Sequence, residues 1–98
     1  MDLIAALRAF VRVTETGSFS AVARETHASQ SAVTRLVAQL EQHFDVRLFH
    51  RTTRRLSLTD DGQVLMAHAR HVIEIIEAAY TASETGWTQL LRTTFKPA

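Results

Sequence analysis

Between Glu25 and Ser29 the chain has three residues, Thr26, His27 and Ala28, in which to leave one apolar-periodic segment and begin another. A gap that short admits only a tight turn, so the two flanking helices must cross and touch close to it. The residues suit this. Ala23 is small enough to let two helices approach, and Val33 is a branched wedge that fills the space between them. His27 stands where the turn needs a positive φ; glycine does this best, and histidine is among the other residue types enriched there. Ser29 can cap the second of the two helices by accepting from an amide in its first turn.

The rest of the chain builds around this pair. Residues 2–16 carry Leu3, Leu7, Phe10 and Thr14 at helical spacing, with Ile4, Val11 and Val13 alongside, and Gly17 stops that helix. Ser18 caps a short second helix over about 18–25 whose core side is Phe19, Val22 and Ala23. The third helix, 29–44, turns Val33, Leu36, Val37, Leu40 and Phe44 inward and Ser31, Thr34, Arg35, Ala38 and Gln42 outward. From Val46 to Thr59 the period changes, which predicts two short strands, 47–50 and 55–58, joined near Arg51 to Arg54. Thr59 then caps a long helix over 60–84 with Asp60 and Asp61 at the positive end of its dipole. In that helix Leu65, Ala69, Val72, Ile76 and Ala79 recur at heptad-like spacing beside Ile73 and Tyr80. One stripe is expected to cover the first helix and the other to meet a second subunit. Residues 87–98 show no period, though Trp87, Leu90, Leu91 and Phe95 could form a further turn or two of helix. The predicted fold is mainly α with a small β-hairpin: a three-helix bundle plus a two-stranded wing, a winged helix-turn-helix, followed by a long dimerisation helix. The units are 1–58, 59–86 and a divergent tail, 87–98.

Composition removes whole classes of function. Ninety-eight residues make one modest domain. There is no cysteine, hence no disulfide, thiol nucleophile or cysteine-held zinc. No apolar run is long enough to span a membrane, and "MDLIAALRAF" lacks the order of a signal peptide, so a cytoplasmic, nucleoid-associated protein is expected. Serine, histidine and aspartate occur without the spacing of a nucleophile and its base, so the chain is not read as an enzyme. His68, His71 and Glu74 lie three apart on the long helix; a solvated face explains them better than zinc, and no metal or cofactor is expected.

The formal charge of +1 conceals a division: residues 18–58 carry a net +3 and residues 59–86 a net −4. Arg51, Arg54 and Arg55 crowd the hairpin, and no acid occurs from Val46 to Thr59. A basic middle points to a polyanion, and an arginine-rich wing beside a helix-turn-helix points to a nucleic-acid groove. A net charge this small argues against a protein that coats DNA without regard to sequence.

The stretch Gly17 to Gly62 resembles the N-terminal DNA-binding region of LysR-type transcriptional regulators. The shared elements are Gly17-Ser18-Phe19, Ala23, Ser29-Gln30, Ala32-Val33, Arg35, Leu40-Glu41, Val46-Arg47-Leu48-Phe49, Arg51-Thr52, Leu58-Thr59 and Gly62, and the match stays in register from about Leu3 to Tyr80. The resemblance implies a sequence-specific transcription factor that binds promoter or operator DNA as a homodimer, or as a dimer of dimers in a full-length regulator. It implies that the third helix enters the major groove, with Gln30, Ser31, Thr34 and Arg35 at reading positions. Gln30 can pair with adenine, and Arg35 with guanine or a phosphate. Ser18, Ser20 and Ser29 would offer hydroxyls and helix N-terminal amides to phosphates. Arg54 matches the minor-groove arginine of the wing, with Arg51 and Arg55 beside it. The long helix matches the linker helix that pairs two subunits, which assigns dimerisation to Leu65, Ala69, Val72, Ile76 and Ala79. An alternative is a short interaction protein that pairs with full-length regulators through helix 59–86.

Several positions depart from the family pattern. Ser31 replaces a frequent proline, Leu36 a polar residue and Asp45 a usual glycine, while Thr26 and Ala28 replace larger apolar residues and thin the packing around the turn. Arg47 is expected to pair with Glu41 or Asp45 rather than to touch DNA. The two-lobed effector domain of the family has no counterpart here, so no small-molecule effector site is expected in this chain.

Overall fold

The computed structural model describes residues 1–51 and 55–85. Its elements are α1 (Leu3–Thr16), α2 (Phe19–Glu25), α3 (Gln30–Phe44), β1 (Phe49–Arg51), β2 (Leu56–Leu58) and α4 (Asp60–Thr85). The turn near Arg54 and the tail with Trp87, Leu90, Leu91 and Phe95 lie outside the described residues.

Each helix boundary has a local cause. Asp2 accepts from the Ala5 amide at 3.1 Å and caps α1, and Gly17 closes it at φ 70° with its N–H on the Val13 carbonyl. Ser18 and Ser29 cap α2 and α3 by accepting from Ala21 and Ala32, each at 3.1 Å. Asp45 ends α3 in the left-handed region, φ 55°, while the Val46 N–H reaches back to the Glu41 carbonyl at 3.0 Å. Thr59 accepts from the Gly62 amide at 3.0 Å and caps α4.

The core lies where α1, α3 and the wing meet. Phe10, Val13, Val22, Val37, Leu40, Leu48 and Phe49 are fully buried, the larger of them worth about 1.5–3 kcal/mol each. Phe49 receives Phe10 at 5.5 Å and Phe19 at 6.0 Å between ring centroids, both tilted, so the first strand anchors on two helices. The two strands pair antiparallel, Phe49 with Leu58, His50 with Ser57 and Arg51 with Leu56. The strands are shorter than the spacing predicts: Arg47 and Leu48 precede β1. Leu48 is instead held by Glu41, whose buried carboxylate accepts its amide proton at 2.8 Å.

Phe44 departs from its predicted core role. It sits in the last turn of α3, is 44% exposed, and packs edge-on against His43 at 5.0 Å. The helix ends before it can reach the core. In α4, Leu65, Met66, Ala69 and Ile73 pack on the core, and Gly62 is wedged beside the wing. A Cβ at Gly62 would stand 2.2 Å from the Leu48 carbonyl oxygen, so this helix touches the hairpin backbone to backbone.

Candidate nucleic-acid interface

The turn takes the form its residues require. Thr26 remains near helical geometry, His27 takes φ 55°, and the Ala28 amide donates to the Ala23 carbonyl at 2.9 Å. Ala23 and Val33 are 6% and 2% exposed at the crossing of α2 and α3, which is the contact their sizes suggested. The small Thr26 and Ala28 leave a trough of about 680 Å³ between this turn, α1 and α4.

With its apolar side so fixed, α3 turns Gln30, Ser31, Thr34, Arg35, Ala38 and Gln42 to solvent. Thr34 donates its hydroxyl to the Gln30 carbonyl at 2.9 Å and keeps oxygen lone pairs for another donor. At the start of α2, Ser18 and Ser20 share a hydrogen bond at 3.0 Å; at the start of α3, Ser29 and Ser31 share one at 3.1 Å. Each pair uses one hydroxyl hydrogen internally and leaves one to donate outward. The first two amides of α3, those of Gln30 and Ser31, have no acceptor within the helix. Hydroxyl hydrogens, idle amides and the positive helix end therefore converge beside Arg35.

The arginines fall into two groups. Arg12 grips Glu25 with two hydrogen bonds, at 2.7 and 2.8 Å, and Glu15 at 3.0 Å. Glu25 first and Glu15 second push the Arg12 guanidinium above its ordinary range, and Arg12 in turn holds the Glu25 carboxyl below its own. Arg70 reaches Glu15 at 3.4 Å, and Arg8 reaches Glu77 at 3.1 Å. These pairs tie α4 to α1 and α1 to the last turn of α2. Arg24, Arg35 and Arg47, by contrast, are exposed and form no ion pair among the described residues. The expected partners of Arg47 are otherwise placed: Glu41 faces the Leu48 amide, and Asp45 caps α3 with its backbone.

The wing is less completely described. Arg51 lies in β1 by its backbone, Arg55 is exposed just before β2, and Arg54 falls outside the described residues. Thr59 bonds the Arg47 carbonyl through its hydroxyl and the Leu48 carbonyl through its amide at 3.0 Å, so one residue joins the wing to α4.

Of the five positions assigned to dimerisation, Ala69 is 1% exposed in the chain's own core and Leu65 is packed against it, so neither meets a partner. The row divides because α1 and α4 face each other through Arg8–Glu77 and Arg70–Glu15, which turns residues 65, 69 and 73 inward. Val72 is 37% exposed, and Ile76 and Ala79 are half-buried. Val64, Ile75 and Tyr80, absent from the assigned set, are exposed on the same helix.

Sequence reasoning did not assign the Arg12–Glu25 clamp or the roles of Glu41 and Gly62. The i, i+3 spacing of Arg12 and Glu15 was a usable signal for the first. Glu41 binds a backbone amide seven residues on, which no pattern of side chains discloses.

Residues 4–63 match a family described as bacterial regulatory helix-turn-helix protein, lysR family. Among curated relatives, the chain is 46% identical over 77 residues to the HTH-type transcriptional regulator BlaA of Streptomyces cacaoi, covering 79% of this chain and 24% of BlaA. Among solved structures it superposes on BenM_DBD in complex with catB site 1 DNA, with a TM-score of 0.80 at 25% identity, covering 87% of this chain and 94% of that one. It also superposes on full-length CbnR complexed with its target DNA, with a TM-score of 0.76 at 31% identity over 83% of this chain and 28% of that one. The chain spans from about a quarter to about half the length of the curated relatives it matches.

Proposed function

Because the chain belongs to the LysR family of bacterial regulatory helix-turn-helix proteins, we propose that it binds double-stranded promoter DNA sequence-specifically and regulates transcription in the bacterial cytoplasm. The observation that carries this reading is the outer face of α3. It is polar, exposed, and flanked by arginines that no glutamate holds. A helix of 15 residues is about 22 Å long, and its N-terminal half suits the major groove.

Residues 1–58 form the DNA-binding unit. Gln30, Ser31, Thr34 and Arg35 meet base edges, Gln30 favouring adenine and Arg35 guanine. Ser18, Ser20 and Ser29, with the amides they accompany, hold phosphates and fix the register. Arg51, Arg54 and Arg55 of the wing approach the adjoining minor groove. Residues 59–86 pair two copies through the outward side of α4, where Val72, Ile76 and Ala79 join Val64 and Ile75. A dimer then reads two half-sites in pseudo-palindromic DNA. Neither proposed role asks for bond-making chemistry, a metal or a cofactor.

A mobility-shift assay with fragments of the promoter region beside the protein's own gene tests this. A retarded complex that resists excess unrelated DNA at moderate salt is expected. Equal competition by specific and unrelated DNA overturns the reading.

A further inference from the structure

The exposed row of α3 runs one turn beyond the residues assigned above. Ser31, Thr34, Arg35, Ala38 and Gln42 follow one another at spacings that keep them on one face, and all are exposed. Every member of the row carries a hydrogen-bonding group except Ala38. Two shallow surface depressions meet at that residue: one is shared with Gln30, Ser31, Thr34 and Arg35, and the other leads to Gln42 and Arg47. Ala38 thus presents a bare methyl at the floor of the surface on which the reading residues stand.

Distance decides how far along the row DNA can follow. At 1.5 Å per residue Ala38 lies about 12 Å from Gln30, and the major groove is also about 12 Å wide. Gln42 stands about 6 Å farther on, beyond the groove. Ala38 is therefore the last member of the row that a base edge can meet. Among base edges in the major groove, only thymine offers an apolar group, its C5 methyl. A methyl facing any other edge would strip water from a donor or acceptor and return nothing to it.

We propose that Ala38 reads a thymine methyl one or two base pairs beyond the base addressed by Arg35. The offset follows from geometry: three residues of helix advance about 4.5 Å, against about 3.4 Å per base pair. This assignment rests on the reading of α3 as the groove-entering helix.

The test replaces each thymine of a bound promoter site, one at a time, by deoxyuridine, which removes only the methyl. Affinities are measured by mobility shift for the unaltered protein, Ala38→Gly and Ala38→Ser. For the unaltered protein one replacement is expected to cost about threefold to tenfold, as the loss of one buried methyl contact should. The same replacement should cost both variants nothing, although Ala38→Gly loosens the helix and Ala38→Ser does not. The Arg35-dependent base preference should survive in both. Indifference of the unaltered protein to uracil at every thymine overturns the assignment, as does a uracil penalty that persists in both variants. Absence of any sequence-specific complex overturns the DNA reading itself, and this assignment with it.

Discussion

On α1 and α4 every arginine meets a glutamate: Arg8 meets Glu77, Arg12 meets Glu15 and Glu25, and Arg70 meets Glu15. On α2, on α3 and just before β1, the exposed Arg24, Arg35 and Arg47 meet none among the described residues. The same residue type does two jobs in one small domain. Where it is paired, its charge is neutralised locally and its rotamers are restricted, and it orients one helix against another. Where it is unpaired, its charge remains available to a polyanion. Formal charge alone does not separate the two groups; the position of the glutamates does.

The comparison is tested most strongly at Gly62, which belongs to the frame and carries no charge. Gly62→Ala would push a methyl into the Leu48 carbonyl, 2.2 Å from the ideal Cβ position. Overpacking of this kind costs about 1–3 kcal/mol, or roughly 4–8 °C of melting temperature per kcal/mol in a domain this size. Differential scanning calorimetry reads the fall. An unchanged melting temperature would mean that the frame is softer between α4 and the wing than the contact implies.

Next comes Arg35. Arg35→Ala is expected to weaken binding to a specific promoter site by about 10- to 100-fold, the discrimination of one good base contact, with the melting temperature unmoved. A large drop in melting temperature would place Arg35 in the frame and break the division.

Salt dependence sharpens it further. Each neutralised phosphate of B-DNA steepens the dependence of log affinity on log salt by about 0.9. Arg24→Ala should flatten that slope by about one such step, while Arg70→Ala leaves it unchanged. A flattening by Arg70→Ala would show that its glutamate releases it on binding.

The smallest effect is a pH dependence. Arg12 lowers the Glu25 carboxyl in the folded chain, so the unfolded chain binds the proton more readily. The clamp then stabilises the fold fully above the ordinary glutamate range, about pH 4.3, and is lost as pH falls through the lowered value. Arg12→Gln should remove this part of the acid sensitivity of the melting temperature without altering stability at high pH by more than a surface pair does. An identical acid profile in the variant would leave the clamp without energetic effect.

The sequence carried much of this architecture because the deciding signals are local. Ser18, Ser29 and Thr59 cap the helices they precede, and His27 and Asp45 adopt the positive φ that their positions demanded. The outer face of α3 follows from helical spacing once Val33, Val37 and Leu40 are inside. What was not legible depends on relations between distant segments. Ala69 reads as a heptad position, yet the α1–α4 register turns it into the core. Phe44 reads as the next apolar residue of a stripe, yet α3 ends just as the core does. The partners of Glu41 and Arg12 lie across turns whose geometry periodicity does not encode.

The joint at Thr59 and Gly62 has a consequence for how α4 can vary. Its first turn is fixed to the wing through carbonyls of Arg47 and Leu48, so the helix leaves the DNA-binding unit in a set rotational phase. One residue inserted beyond Tyr80 would swing everything after it by about 100°, whereas seven would return it to within roughly 20° of the same face and carry it about 10.5 Å outward. The length of α4 is therefore quantised for any partner that reads its outer side. A lineage could lengthen or shorten the distance between paired reading helices in heptad steps, and single-residue changes would be filtered out as phase errors.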